Sequence, residues 1–189
     1  MTTGSGGRRL RADAARNRSS VIDAARDAFA RHGVTASLDD VARAAGVGPG
    51  TLYRHFPTRD ELVLAVMDDG LTELHRLGLE LLDEPDRLAA VHRWLDAYIE
   101  QSGKYQGLAR TLANPPAAAD EQSICWRAIE MGMNLISGAA ESGVLRPDTD
   151  ANDVRHLAAA IAWVDGQLPP DPDRRARLVR TVLDGVRPC

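Results

Sequence analysis

The sequence predicts an all-α protein on three observations. Apolar residues recur at i, i+3, i+4 and i+7 through most of the chain, and capping signatures, Ser37-x-x-Asp40 and Thr58-x-x-Glu61, precede two of the runs. No segment sustains the period-two alternation of a half-buried strand.

The elements follow in order. Residues 1–10 are rich in Gly, Ser and Arg without apolar periodicity, which predicts a disordered basic arm. Helix one is expected to begin around Ala12 or Asp13. Val21, Ile22, Ala25, Ala28 and Phe29 fall on one face, and Gly33 suits a left-handed C-terminal cap. The box at Ser37 predicts a serine oxygen accepting an orphan N–H while the acid three residues on reaches back to the cap. Leu38, Val41, Ala42 and Ala45 then give a two-turn helix ended by Gly46. Pro49, whose missing N–H costs nothing at a first helical position, opens a third short helix that Pro57 closes. From Thr58 a longer helix carries Leu62, Ala65, Val66, Leu71, Leu74 and Leu81.

The remainder is also helical. Pro85 opens a run with Leu88, Val91, Leu95, Tyr98 and Ile99, and a short helix is expected from Tyr105 to Leu112 before Asn114-Pro115-Pro116. Ile124 to Ala139 carry a broadly apolar helix ending near Ser142-Gly143. Val154 to Val164 and Leu178 to Val186 carry the last two.

Composition bounds the function. The chain has 189 residues, 44% hydrophobic and 26% charged, a length that suits one domain with an appendage or two small domains and excludes a large multidomain enzyme. The longest uninterrupted apolar stretch runs only from Leu157 to Val164, short of the roughly 20 residues of a membrane span, so no membrane partner is expected. The N-terminus has arginines but no following apolar block, which predicts no secretory signal and a cytoplasmic location. Cys125 and Cys189 form no CxxC or Cys/His cluster. The five histidines include no HxxxH or HExxH, so neither metal nor cofactor is expected.

The net charge of −4 hides a division: residues 1–60 carry +4 and residues 61–189 carry −8. A basic end joined to an acidic one points to a polyanion partner for the first part and another task for the second.

The segment that joins charge to shape lies between Ser37 and Phe56. Two short helices linked by a glycine turn, the second rich in polar and aromatic side chains, have the pattern of a helix-turn-helix, whose second helix enters the major groove of double-stranded DNA. Ala42, Ala45, Val47, Leu52 and Phe56 are expected to pack inward, leaving Thr51, Tyr53, Arg54 and His55 facing outward or along the rim. Hydroxyl, imidazole and guanidinium donors there suit phosphate oxygens on either side of a groove. Gly46-x-Gly48-x-Gly50 has the spacing of a phosphate-binding glycine loop but follows a helix rather than a strand, so it reads as a turn and a helix start.

Ser37-Leu-Asp-Asp-Val-Ala-Arg-Ala-Ala-Gly-Val47, followed by Thr51-Leu-Tyr-Arg-His-Phe56 and the helix start at Thr58, resembles the TetR family of bacterial transcriptional regulators over about residues 13–70. The resemblance implies that Thr51, Tyr53 and His55 contact phosphates or the groove. It also implies that Ser37 is a phosphate-touching N-cap, and that Arg59 stands where the family usually has a phosphate-binding lysine. The sequence departs from the family in Gly48-Pro49-Gly50, where relatives often carry a polar residue. With no side-chain donor or acceptor there, base reading shifts to Pro49 against thymine methyls, to Arg43 or Arg54, to Arg8, Arg9 and Arg11 in a minor groove, or to groove shape.

Gly143-Val-Leu-Arg-Pro-Asp148 before a helix near Asn152 is similar to the regulatory domain of the SbtR-like subgroup. That resemblance implies a small-molecule effector and a homodimer built through the last two long helices. Leu157, Ile161 and Val164 with Val179, Val182 and Val186 supply two apolar stripes for it. The expected organisation is thus an arm (1–10), a three-helix DNA-binding domain with the helix-turn-helix (11–57), and a helical-bundle ligand-binding and dimerisation domain (58–189). Trp94, Tyr98, Tyr105, Trp126, Met133 and Trp163 are the candidate effector-binding residues, with His92, Gln106, Asn134 or His156 as orienting groups; ordinary core is the other reading of each.

The function expected is a sequence-specific regulator, a repressor released from its operator by a small molecule. The rival class is a helical small-molecule-binding protein or enzyme with an incidental basic N-terminus, although no GxSxG or other sequence-local nucleophile and base supports catalysis. A nonspecific DNA-associated protein is the third; it would show strong salt dependence without discrimination between sequences.

Overall fold

The computed structural model describes residues 5–105, 107–108, 123–169, 171 and 173–188. Among them are eight α-helices and no strand: α1 (Ser5–His32), α2 (Leu38–Ala44), α3 (Pro49–His55), α4 (Arg59–Leu81), α5 (Arg87–Gly103), α6 (Ile124–Glu141), α7 (Ala151–Gln167) and α8 (Arg174–Gly185). The chain divides into two compact units, Met1–Met67 and Asp68–Cys189. The division falls after Met67, within α4.

In the first unit α1 starts at Ser5, earlier than the expected Ala12 or Asp13, so residues 5–10 are helix and not a disordered arm. The glycines at 6 and 7 weigh against helix, but Arg8, Arg9, Leu10, Arg11 and Ala12 are good helix formers and extend it. Val21, Ala25, Ala28 and Phe29 are buried on α1, with Leu38, Val41 and Ala42 on α2, Leu52 on α3, and Phe56 behind it. The three helices pack pairwise. Fully burying a side chain such as Leu52 is worth about 1.5–3 kcal/mol, so this one residue anchors most of the short α3.

The caps follow the sequence in part. Ser37 Oγ accepts from Asp40 N–H at 3.3 Å, but the Asp40 carboxylate does not reach back; it pairs with Arg43 at 2.6 Å. Thr58 Oγ1 accepts from Glu61 N–H at 3.2 Å and meets the Glu61 carboxylate at 3.1 Å, so the reciprocal contact is hydroxyl to carboxylate.

In the second unit α5 packs against α6, α7 and α8, α6 against α7, and α7 against α8. Asp86 caps α5 through Ala89 N–H, Ser123 caps α6 through Trp126 N–H, and Asp150 caps α7 through Asn152 and Asp153 N–H. Pro85 therefore precedes the α5 cap rather than opening the helix. Of the helix expected over Tyr105 to Leu112, Tyr105 and Leu108 are buried, while Gln106 and residues 109–112 lie outside the described residues, as do Asn114-Pro115-Pro116.

Candidate functional site

The turn between α2 and α3 sets the site. Gly46 adopts φ +69, a left-handed conformation that disfavours any side chain, and its N–H donates to Arg43 O at 3.2 Å while Val47 N–H donates to Ala42 O at 3.0 Å. These paired bonds form a Schellman motif, which satisfies the orphan carbonyls of α2 and turns the chain sharply into α3. Gly48 then serves as N-cap without a side-chain bond, and Pro49 takes the first helical position. Phe56, buried behind α3, and Pro57 after it end the helix.

With Leu52 and Phe56 turned inward, Pro49, Gly50, Tyr53 and Arg54 form the exposed face of α3. Tyr53 is 47% exposed, unusual for an aromatic ring with no internal duty. Thr51 and His55 are half-buried at the rim, and the His55 ring lies tilted 6.4 Å from that of Phe56. The Arg54 guanidinium folds back on its own helix, donating to Gly50 O at 3.1 Å and Thr51 Oγ1 at 2.9 Å, so it is held beside the exposed face. A seven-residue helix is about 10 Å long and fits a major groove about 12 Å wide.

The other candidates of this unit have additional duties. Arg43 is exposed and ion-paired to Asp40. Ser37 is the exposed α2 cap. Arg59 is half-buried, with Nη1 donating to Val34 O at 2.8 Å and Ala36 O at 2.6 Å, so it fastens the α1–α2 loop to the start of α4. Sequence reasoning missed Arg18, whose guanidinium sits 5.2 Å over the Phe56 ring and braces the end of α3. Its signal was one basic residue among many on α1. The side chains of Arg8, Arg9 and Arg11 lie outside what is described.

In the second unit the effector candidates separate. Trp94 and Tyr98 are both 1% exposed and stacked, ring centroids 5.1 Å apart at 16°. Tyr105 is buried and Met133 half-buried, whereas Trp126 and Trp163 stand 37% and 58% exposed and do not join the buried pair. Of the proposed orienting groups, Asn134 and His156 are exposed and His92 pairs with Asp96 at 3.2 Å. A cleft of about 380 Å³ in this unit is lined by Glu100, Gln101, Lys104, Asp165 and Arg175, so it is charged and not aromatic. Sequence reasoning also missed Arg155 and Ser102, polar side chains buried among apolar neighbours, and Gly132, against which Trp94 packs.

The two apolar stripes expected for dimerisation also separate. Ile161 and Val179 are buried within the unit, Val164, Val182 and Val186 are half-buried, and Leu157 is 49% exposed. Leu157 shares an exposed α7 face with Ala160 and Trp163.

Comparison with known proteins accounts for both units. Residues 21–66 match the family model described as bacterial regulatory proteins, tetR family, and residues 86–188 match that of the transcriptional regulator SbtR-like C-terminal domain. The chain is 32% identical to the TetR transcriptional regulator SCO0520 from Streptomyces coelicolor, covering 90% of this chain and 98% of that one with a TM-score of 0.52. It is 26% identical over 156 residues to the HTH-type transcriptional repressor KstR2 of Mycobacterium tuberculosis, 78% of each chain. It is 38% identical over 92 residues to the HTH-type transcriptional regulator TtgR of Pseudomonas putida, a match spanning 43% of that relative's length. The matched regions, the turn at Gly46 and the exposed face of α3 agree: this chain belongs to the TetR family of bacterial transcriptional regulators.

Proposed function

We propose that the protein is a homodimeric repressor that binds an operator in double-stranded DNA through α3 and is released by a small-molecule effector held in the second unit. The observation that carries this reading is the exposed α3 face of Pro49, Gly50, Tyr53 and Arg54, set by the Gly46 turn and anchored by Leu52 and Phe56 behind it. Tyr53, Thr51, His55 and Ser37 grip phosphates around the groove, Arg59 adds charge beside them, Pro49 and Arg43 or Arg54 meet base edges, and Gly50 lets the backbone come close to the DNA. Exposed Leu157 and Trp163 on α7 support pairing of two chains through the last two helices, since large apolar side chains on one face are costly to leave in water. Pairing presents two α3 helices to half-sites about 34–36 Å apart.

Release follows from linkage. An effector that prefers a conformation with wrongly spaced α3 helices lowers operator affinity by no more than its differential affinity for the two conformations. Helix α4, continuous from Arg59 to Leu81, is the connecting element.

Sedimentation of the chain alone and with a retained genomic duplex tests the reading. The expected result is a dimer in both samples, two protomers per duplex, and loss of binding when one half-site is replaced. A monomer that binds one site with undiminished affinity contradicts it.

A further inference from the structure

The charged cleft of the second unit holds polar groups that its own side chains leave unmet. Its walls are the end of α5, with Glu100, Gln101 and Lys104, then Ala162 and Asp165 of α7 and Arg175 of α8. Arg175 is occupied: Nε lies 3.5 Å from Asp165 and Nη1 3.9 Å from Glu100. Arg174 brings a second guanidinium to 3.6 Å from Asp165, so that carboxylate is held between two cations. Glu100 is not. Its one cation stands beyond hydrogen-bonding distance, and its side chain is 79% exposed.

Lys104, the only lysine in the sequence, forms no ion pair among the described residues. Glu100 stands four residues before it, the spacing at which such pairs ordinarily form on a helix, yet Glu100 leans toward Arg175 instead. Gln101 Nε2, between them in the chain, is buried without a hydrogen-bond partner. The cleft therefore offers one charged acceptor, Glu100, beside one charged donor, Lys104, and an amide N–H. Its two acids and two bases balance, which favours a ligand of no net charge that carries both signs. The volume of about 380 Å³ lies within the range of small-molecule sites.

We infer that this cleft is the effector site, and that the effector is an amino acid, its ammonium on Glu100 and its carboxylate on Lys104 and Gln101 Nε2. The inference rests on the effector-responsive reading above and names the ligand class for it. Gln101 gives the link to release. Its amide lies against Gly70 of α4, where a Cβ would overlap it, so a ligand that holds the amide acts on a side chain packed against the helix that begins at Arg59.

The test is calorimetric titration of the full chain with L-alanine, β-alanine and γ-aminobutyrate. Each is set beside its carboxamide, which keeps only the ammonium, and beside the acid lacking the amine, which keeps only the carboxylate. At least one amino acid should bind at least about tenfold more tightly than both of its analogues, the size of one charged hydrogen bond, and should weaken operator binding. Glu100→Gln should lower that amino acid to the affinity of the acid analogue, and Lys104→Met to that of the carboxamide. Both side chains are exposed, so neither change threatens the fold. An analogue as tight as its parent overturns the inference, as does either substitution leaving the affinity unchanged, or the absence of binding by all three amino acids up to about 10 mM, the weak end of specific recognition. Operator binding by the same preparation separates the failures. A chain that binds its operator but no amino acid, or whose operator affinity ignores the bound amino acid, refutes the effector assignment; one that binds no operator refutes the regulator reading beneath it.

Discussion

Arg59 donates to the carbonyl of Ala36 at 2.6 Å, and through the same nitrogen to Val34 O at 2.8 Å, so a residue expected on family grounds to serve phosphate is also a structural clasp. Removing it leaves two loop carbonyls without their charged donor. Arg59→Ala should destabilise the protein by about 1–3 kcal/mol, seen as a lower urea midpoint at unchanged slope. It should also weaken binding to all DNA sequences alike. A lysine supplies one point charge without the planar fork, so Arg59→Lys should recover only part of the stability. An unchanged midpoint in Arg59→Ala rules out the clasp.

Gly50 stands in an exposed helical turn with open space where a Cβ would lie, and its φ is outside the left-handed region. Nothing in the first unit requires a glycine there. Gly50→Ala should therefore raise stability by about 0.5–1 kcal/mol while weakening the operator complex, because the added methyl meets the DNA surface. A melting curve and a binding isotherm on one sample check the two opposed shifts; unchanged operator affinity removes Gly50 from the interface.

Gly132 is the opposite case. A Cβ there would overlap the Trp94 indole, whereas one at Gly138, two turns along α6, meets nothing within 4 Å. Gly132→Ala should cost about 1–3 kcal/mol through overpacking, and Gly138→Ala should leave stability equal or higher. Paired denaturant titrations decide it, and equal behaviour of the two variants would refute the packing of Trp94 on α6.

Burial raises the Cys125 thiol from 9.0 to about 11. Between those values the native chain holds a proton that the unfolded chain has lost, so stability should fall as pH rises from about 9 toward 11. Raised Tyr98 acts in the same direction at higher pH. In a Cys189→Ser background, native Cys125 should react with a thiol reagent at pH 8 far more slowly than the unfolded chain, because thiolate is scarce and access is closed. Equal rates would contradict its burial.

Much of the first unit was legible because its signals are local. Gly46, Pro49 and Pro57 fix backbone conformation through their own covalent structure, and Leu38, Val41 and Leu52 fix the inner faces through spacing. What escaped depends on distant neighbours. The carbonyls that hold Arg59 lie 23 and 25 residues earlier in the chain, and the Phe56 ring under Arg18 lies 38 residues later. In the second unit periodicity located the helices but could not sort aromatic residues: Trp94 and Trp163 have the same composition signal, and only packing buries one and exposes the other. Arg155 carried no signal at all, since an arginine on a helix is ordinarily on its solvent face.

Sequence-specific DNA reading by α3 is the property on which the proposed function depends. It is tested most directly by the affinity of the purified chain for fragments of its own locus against shuffled fragments of equal length and composition, at one near-physiological salt concentration. The expected result is a preference of about 10³-fold or more for one fragment. Equal, strongly salt-dependent binding to every fragment would contradict it, and would mean that the exposed face of α3 meets only the phosphate backbone.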